Sequence, residues 1–481
     1  MRAFVDPHCF SGTVTVPASK SHTIRRLLMA ALSEEISYIE NPLDSLDTCS
    51  CVEACRVLGA DIGENRSDGV LRSWTVRGFK PGEGPRPGTS TPDRKRIINV
   101  GNSGTTLFLA LAAAALGSVP VSFTGDSQIA KRSAGPLLDA LAGLGAAVSS
   151  AAGPGEGLDK SRGYTPITIY GPWKGGSISL PCPTSQYLSA LLIAAPLAPA
   201  GVVTEIEVPL LNERPYVEMT LAYLKAQGLK EALDSVSPGG NSPGSVYAAA
   251  DFSWFRITGG ASYRALNGPV PGDFSSAAFP AAAAVISGGQ ITLRGLDPGD
   301  TQGDKVFFDY LERMGCSVVW DTQAGKPLLH ISGSRRLRGG AFDLNDAPDM
   351  FPVMAVLGAF AEGTTKLVNV AHARIKETDR IAVMAEELTK LAKASGSPGF
   401  CCEERPEGLV IQGGRGLRCP GGQAFSESPS VLLDSRGDHR IMMALACAAL
   451  GLPGGAEIAG AEAGAATYPG FLELLNARCY T

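Results

Sequence analysis

The sequence predicts an α/β protein assembled from six α+β units, and three observations carry that prediction. An Ala/Leu-rich apolar stretch of helical length recurs six times. Each is followed by a short strand, and most strands are followed by an amphipathic stretch with apolar residues at three-to-four spacing. The apolar stretches read RRLLMAALSEE, LFLALAAAALG, YLSALLIAAPLAPAG, AAFPAAAAVISGG, FPVMAVLGAFAEG and IMMALACAALGLPGG. Their strands start near Glu35, Gly117, Gly201, Gly288, Gly363 and Gly454, roughly 80 residues apart, a period longer than that of solenoid repeats.

The elements follow in order within each unit. The strands after the apolar helices are ISYIENP, VPVSFTG, VVTEIEV, QITLRGL, TKLVNVA and EIAGAEA. The amphipathic helices are CVEACRVLGA, PLLDALAGLGA, MTLAYLKAQGL, FFDYLERMGC, AVMAEELTKLA and FLELLNARC, several ending on Gly or Ala as helix C-termini do. SWTVRG, PITIYG, WFRITGG, LLHISGS and LVIQGG alternate or run apolar as strands do. Each unit therefore carries two helices and about four strands. Residues 80–94 (KPGEGPRPGTSTPDR) and 234–245 (DSVSPGGNSPGS) are too poor in apolar residues for core and read as surface insertions. The second precedes the fourth unit, so three units on either side give two similar halves with a cleft between them.

A chain of 481 residues with 44% hydrophobic content is long enough for a large core in about two to four domains. A net charge of −5 argues against a nucleic-acid partner, whose footprint is usually basic, while leaving room for a local anion pocket. The eleven cysteines form no CxxC pair or Cys/His metal cluster, so reduced structural thiols are expected. MRAFVDPHCF lacks an apolar core of signal-peptide length, and runs such as residues 107–116 are too short to span a bilayer. The expectation is a soluble cytoplasmic protein with no membrane partner.

Every apolar helix opens on polar residues. They are Lys20, Ser21 and Arg25; Asn102, Gly104 and Thr105; Thr184, Ser185 and Gln186; Asp273, Ser275 and Ser276; Asp349; and Asp438, His439 and Arg440. A helix start presents free N–H groups and a partial positive charge, so it favours anions. The densest segment is Arg374-Ile-Lys376-Glu377-Thr-Asp379-Arg380. It reads either as an exposed charged turn or as cations for phosphate or carboxylate beside a proton-transferring carboxyl group. Lys20-Ser21-His22-Thr23-Ile24-Arg25 reads equally as a phosphate cradle or a capped helix with solvated cations. Gly101-Asn102-Ser103-Gly104-Thr105 is a Gly-rich loop without the P-loop Lys, and Asp438-His439-Arg440 could be a catalytic trio or a cap. No GxSxG elbow supports a serine hydrolase, and the five histidines fit no metal-ligand pattern.

SKSHTIR, GNSGTT, TGDSQIAKRS, SQYLSALLIAAPL, GDFSSAA, the Asp349 segment, RIKETDR and DHRIMM follow the order found in the EPSP synthase family of enolpyruvyl transferases. The chain resembles that family over essentially its whole length, with the two Gly/Pro-rich stretches as insertions. The sister enzyme acting on UDP-N-acetylglucosamine has Lys-Asn where Lys20-Ser21 stands here. The resemblance implies a two-domain inside-out α/β barrel of six units, three per domain. Its boundaries would be residues 1–17 with 271–481, and 18–270, with the active site in the interdomain cleft. It also implies a cytoplasmic monomer that moves the enolpyruvyl group of phosphoenolpyruvate to the 5-hydroxyl of shikimate 3-phosphate, without metal or organic cofactor.

By resemblance, Ser21, Arg25, Thr184, Ser185, Gln186, Tyr216, Asp349 and Lys376 hold shikimate 3-phosphate. Lys20, Asn102, Gly104, Arg132, Gln186, Arg380 and Arg440 line the phosphoenolpyruvate site. Lys20, Asp349 and Glu377 are catalytic, with Asp349 taking the 5-hydroxyl proton and Glu377, assisted by Lys20, protonating C3. Four positions depart from the family: Phe108 replaces Arg, His372 replaces Asn, Ala466 replaces a Lys before Thr467-Tyr468-Pro469, and Glu213 replaces a Ser that binds the acceptor phosphate. A carboxylate about 4 Å from a phosphate charge costs on the order of 4 kcal/mol per unit charge pair at an effective dielectric of 20. The expectation is that Glu213 points away and pairs with Arg214, or that the acceptor differs. A modified cyclic acceptor, or a non-catalytic ligand-binding relative, are the alternatives these departures raise.

Overall fold

The computed structural model describes residues 1–80, 96–153, 162–229, 231–233, 242–322, 325–333, 336–397, 399–413, 431–476 and 478–480. Most of both expected insertions, residues 81–94 and 234–241, lies outside the described residues. The chain divides into two compact units, one formed by Met1–Ser19 with Pro271–Thr481 and the other by Lys20–Val270.

Six small sheets share one four-stranded plan among the described residues, and one of them adds a fifth strand, Glu231–Leu233, parallel to Val246–Ala248. Two strands run parallel, and two further strands add antiparallel on one side. Arg96–Asn99 is parallel to Val121–Thr124 with the helix Gly104–Ala114 between them in sequence. Arg162–Tyr170 then pairs antiparallel with Val121–Thr124, and Ala147–Ala152 antiparallel with Arg162–Tyr170. A parallel pair needs a crossover, and the apolar helix supplies it.

Three of the sheets draw a strand from a distant part of the chain. Gly12–Thr15 is the parallel partner of Gln290–Arg294, and Gly268–Pro269 that of Ile36–Glu40. Arg2–Val5 lies between Ala456–Ala459 and Arg478–Tyr480, completing the sixth sheet. That closure corrects one expectation. FLELLNARC is not one amphipathic helix, because only Phe471–Leu474 is helical. Asn476, at φ 52°, turns the chain so that Arg478–Tyr480 can pair with Arg2–Val5.

The apolar helices form the core because they have no polar face to expose. Gly104–Ala114 and Phe351–Phe360 are buried at every position, and Gln186–Ala194 at every position after its first. Phe274–Ser287, Phe351–Phe360 and His439–Leu450 pack on one another in the first unit. Gly104–Ala114 packs on both Lys20–Ala31 and Gln186–Ala194 in the second. The strands alternate accordingly: Ile36–Glu40 and Thr364–Val368 bury every second residue. No helix among the described residues is long and apolar enough to cross a membrane.

Small residues let the layers approach closely. At Gly408, the first residue of Gly408–Gln412, a Cβ would fall on the Leu367 carbonyl oxygen of the paired strand Thr364–Val368. Gly408→Ala is therefore expected to lower stability by about 1–3 kcal/mol, since backbone has to move. A calorimetric melt of the variant against the parent chain checks this.

Candidate active site

In the Lys20–Val270 unit, the helix Lys20–Ala31 begins on Lys20, whose Nζ lies 3.1 Å from Asp47 Oδ2. Asp47 stands in the first turn of Leu46–Leu58, a helix fixed by a Ser45/Thr48 capping box. One turn beyond Lys20, Arg25 is 2% exposed. Its Nε donates to Thr220 Oγ1 at 3.0 Å, and Nη2 donates to Ser189 Oγ at 3.3 Å and the Tyr216 carbonyl at 3.2 Å. Nη1 donates to the Ser21 carbonyl at 3.3 Å. All four partners are neutral. Burial pulls this guanidinium down to about 10, with Tyr223, Tyr216 and Glu213 opposing the shift. A cation in that condition gains from any anion brought to it.

The start of Gly104–Ala114 is capped by Ser103, which accepts from Thr106 N. At Gly104 an added Cβ would stand 2.6 Å from Arg132 Nη1, so the absent side chain lets the guanidinium lie against the helix start. Asn102 Nδ2 donates to Gln128 Oε1, and Gln186 Nε2 donates to Thr105 Oγ1 at 3.2 Å. Asn102 Oδ1 and Gln186 Oε1 are buried without a hydrogen-bond partner. Asn102, Gly104, Arg132 and Gln186 thus gather around one helix start.

At the next start Glu213 overturns the expectation placed on it. Its Oε2 accepts from Thr184 Oγ1 at 3.0 Å, Ser185 N at 3.0 Å and Ser185 Oγ at 2.8 Å. It does not point away to Arg214. Arg214 instead donates from Nε to Glu218 at 3.0 Å and stacks 4.2 Å above the Phe252 ring. Phe108 belongs to the core, edge-on to Tyr187 with ring centroids 5.0 Å apart.

In the other unit, Arg380 is the hub. It is 1% exposed and holds three carboxylates: Nη1 to Asp349 Oδ1 at 2.8 Å, Nη2 to Glu377 Oε2 at 2.6 Å, and Nε to Asp438 Oδ2 at 2.8 Å. Burial works against its charge, but Asp438, Glu377 and Asp349 outweigh it and hold the guanidinium well above its ordinary range. Asp349, in the turn Pro348–Met350, accepts from Arg440 Nη2 on its other oxygen at 3.2 Å. Arg440 is also 1% exposed, yet its Nε and Nη1 are buried without a hydrogen-bond partner.

The charged motifs therefore divide. Arg374 is structural, since it donates to the Arg405 and Pro406 carbonyls and pairs with Asp379 at 2.7 Å. Asp379 caps Arg380–Ala394. Lys376 and Glu377 stand between these anchors, on the turn that follows Ala371–Ile375. His372 Nε2 lies 3.1 Å from the Asn345 carbonyl, and Ala466 is the half-buried last residue of Ala461–Ala466. Asp438 resolves as a cap: it accepts from Arg440 N at 2.8 Å and Ile441 N at 3.4 Å while also holding Arg380. At the fourth start, Phe274 N donates to Gln302 Oε1 at 3.0 Å, so that helix is capped by a side chain 28 residues away.

Asp47, Gln128, Thr220 and Ser189 were not singled out from the sequence. Asp47 had a local signal, an acid in the first turn behind a Ser cap; the others have none, because the contacts span distant segments.

The model of the family EPSP synthase (3-phosphoshikimate 1-carboxyvinyltransferase) matches residues 6–475. The chain belongs to the EPSP synthase family. A 3-phosphoshikimate 1-carboxyvinyltransferase of Acetivibrio thermocellus is 42% identical over 98% of this chain and 96% of its own length. One from Halobacterium salinarum is 37% identical over 99% of this chain and 98% of its own. A solved structure of EPSP synthase from Acinetobacter baumannii has a TM-score of 0.71 at 27% identity, over 99% of this chain and 97% of that one. The fold is accordingly the two-domain α/β fold of this family.

Asp438→Ala leaves Arg380 short of one carboxylate in a buried site and uncaps His439–Leu450. A loss of about 3–5 kcal/mol is expected, read from the chemical unfolding of the full chain. Asp438→Asn, which keeps the cap, loses less.

Proposed function

We propose that Arg440, Arg380, Arg132, Lys20, Asn102, Gly104 and Gln186 hold phosphoenolpyruvate, and that Ser21, Arg25, Thr184, Ser185, Gln186, Tyr216, Asp349 and Lys376 hold shikimate 3-phosphate. The reaction is that of the family, transfer of the enolpyruvyl group to the acceptor 5-hydroxyl with release of phosphate (EC 2.5.1.19) in aromatic amino-acid biosynthesis. One observation supports the placement most directly. Arg440 is buried, charged and half unpartnered, beside carboxylates already committed to Arg380. Buried polar groups are almost always satisfied, so two guanidinium nitrogens without a hydrogen-bond partner point to an anionic ligand.

The chemistry proceeds by addition and elimination. C3 of the enol gains a proton and the 5-hydroxyl adds to C2; the tetrahedral ketal then expels phosphate as C3 gives up a proton, restoring the C2=C3 double bond. Asp349 takes the hydroxyl proton and Glu377 delivers the proton to C3, with Lys20 assisting. Arg380 fixes the orientation of both carboxylates, which are otherwise held by short turns rather than helices. Such positioning removes reorganisation from the barrier.

The reading includes a monomeric chain in the cytoplasm, and light scattering is expected to give the mass of one chain. Purified protein is expected to release phosphate from phosphoenolpyruvate only when shikimate 3-phosphate is present. A folded preparation with no product above background would refute the assignment.

Glu377→Gln is expected to lower kcat by about 10²–10⁴-fold, the usual range for a lost proton-transfer group, with far less effect on shikimate 3-phosphate binding by calorimetry. Equal losses in both would make the carboxylate a structural partner. Gly104→Ala is expected to displace the Arg132 guanidinium. Steady-state kinetics should show this as a raised KM for phosphoenolpyruvate.

A further inference from the structure

We infer that Glu213 is an internal occupant of the acceptor-phosphate seat, a carboxylate that the substrate phosphate has to displace before it binds. The inference rests on the assignment of Thr184, Ser185 and Arg25 to shikimate 3-phosphate made above. Glu213 directly precedes the helix Arg214–Ala226 and is 3% exposed. One of its oxygens takes two hydroxyls and a backbone N–H at the start of Gln186–Ala194. That set of donors is what a phosphoryl oxygen at a helix start uses. Burial lowers the Arg25 guanidinium, and Glu213 is among the groups whose charge opposes that shift, so its charge also reaches the cation of the seat.

The neighbouring Arg214 does not pair with Glu213. Arg214 is turned to Glu218, to the Ala250 carbonyl at 3.0 Å and to the Phe252 ring. The backbone is independently fixed: Glu213 has a left-handed φ of 59°, and its carbonyl accepts from Tyr216 N at 3.1 Å. Exchange therefore proceeds by rotation of the Glu213 side chain on a fixed backbone. Two anions cannot share one set of donors, so the seat is open to phosphate only in the fraction of molecules whose carboxylate has left. Apparent affinity falls by that fraction. Inorganic phosphate, the reaction's own product, is weakened at the seat by the same fraction as the substrate.

The test is steady-state kinetics on the full chain with Glu213→Ala and Glu213→Gln. KM for shikimate 3-phosphate is expected to fall about tenfold in Glu213→Ala, as for a seat open in roughly one molecule in ten, and less in Glu213→Gln. KM for phosphoenolpyruvate serves as the internal reference. Inorganic phosphate is expected to compete with shikimate 3-phosphate about tenfold better in Glu213→Ala than in the parent chain. The Gln variant keeps the volume and an acceptor oxygen, so it decides the matter if the Ala variant fails to fold. An unchanged or raised KM for shikimate 3-phosphate in the folded variants overturns the inference. The seat itself is tested in the Glu213→Ala background, where Ser185→Ala is expected to raise that KM about tenfold, the effect of a hydrogen bond to a charged group. No rise there refutes the seat and the occupant together. A rise there, without the fall in Glu213→Ala, refutes the occupant alone.

Discussion

A helix buried along its whole length can meet a ligand only at its ends. That constraint governs this chain. Gly104–Ala114, Gln186–Ala194, Phe351–Phe360 and their counterparts have no polar face, so burial of their sides forms the core of each unit. The chemistry is consequently confined to the first turn and to the loops beside it. It is also why the site residues come in short clusters separated by long apolar runs. Each cluster is the polar end of an element whose body is committed to packing.

Confinement to helix starts creates a second problem, which the protein solves with its own acceptors. Free N–H groups at a buried helix start are costly if unmet. Asp438 meets those of Arg440 and Ile441, Gln302 meets that of Phe274, and Glu213 meets that of Ser185. The general picture of a helix start as an empty anion site is therefore wrong in detail here. These starts are already filled by side chains, and the open donors belong to guanidinium groups such as Arg440. What distinguishes the starts is whether the filling group can be exchanged. Asp438 is also bound to buried Arg380 and cannot leave without breaking that ion pair, whereas the donors that Glu213 takes at this start are neutral.

The repeat, the buried helices and the charged motifs were legible in the sequence because each is local: a period, an apolar run, a cluster within seven residues. The motif order also made the family legible before any contact was known. What was hidden depends on pairing across long separations. Thr220 and Ser189 reach Arg25 from 195 and 164 residues away, and Arg2–Val5 completes a sheet with strands near the far end of the chain. That second pairing is why FLELLNARC misled. Its apolar spacing is helical, but the strand pairing of Arg478–Tyr480 takes the end of the segment. Within RIKETDR, composition could not separate Arg374 and Asp379, which anchor the loop, from Glu377 and Arg380. All are charged, and only their partners differ.

The buried arginines show how identical side chains acquire different work. Arg380 has three carboxylates within 2.8 Å, so its charge is spent inside the protein. It holds Asp349 and Glu377 in fixed orientations. Arg25 is as deeply buried but rests on hydroxyls and carbonyls, and burial lowers its guanidinium to about 10. Arg440 lies between the two, with one carboxylate contact and two nitrogens without a hydrogen-bond partner. An anion adds most where neutralisation is least complete. The order Arg25, Arg440, Arg380 therefore runs from the least to the most neutralised guanidinium; under the proposed assignment, the first draws substrate most and the last holds Asp349 and Glu377 still. The carboxylates that a cation immobilises also reduce its attraction for a phosphate, so the two tasks fall unequally on the three arginines.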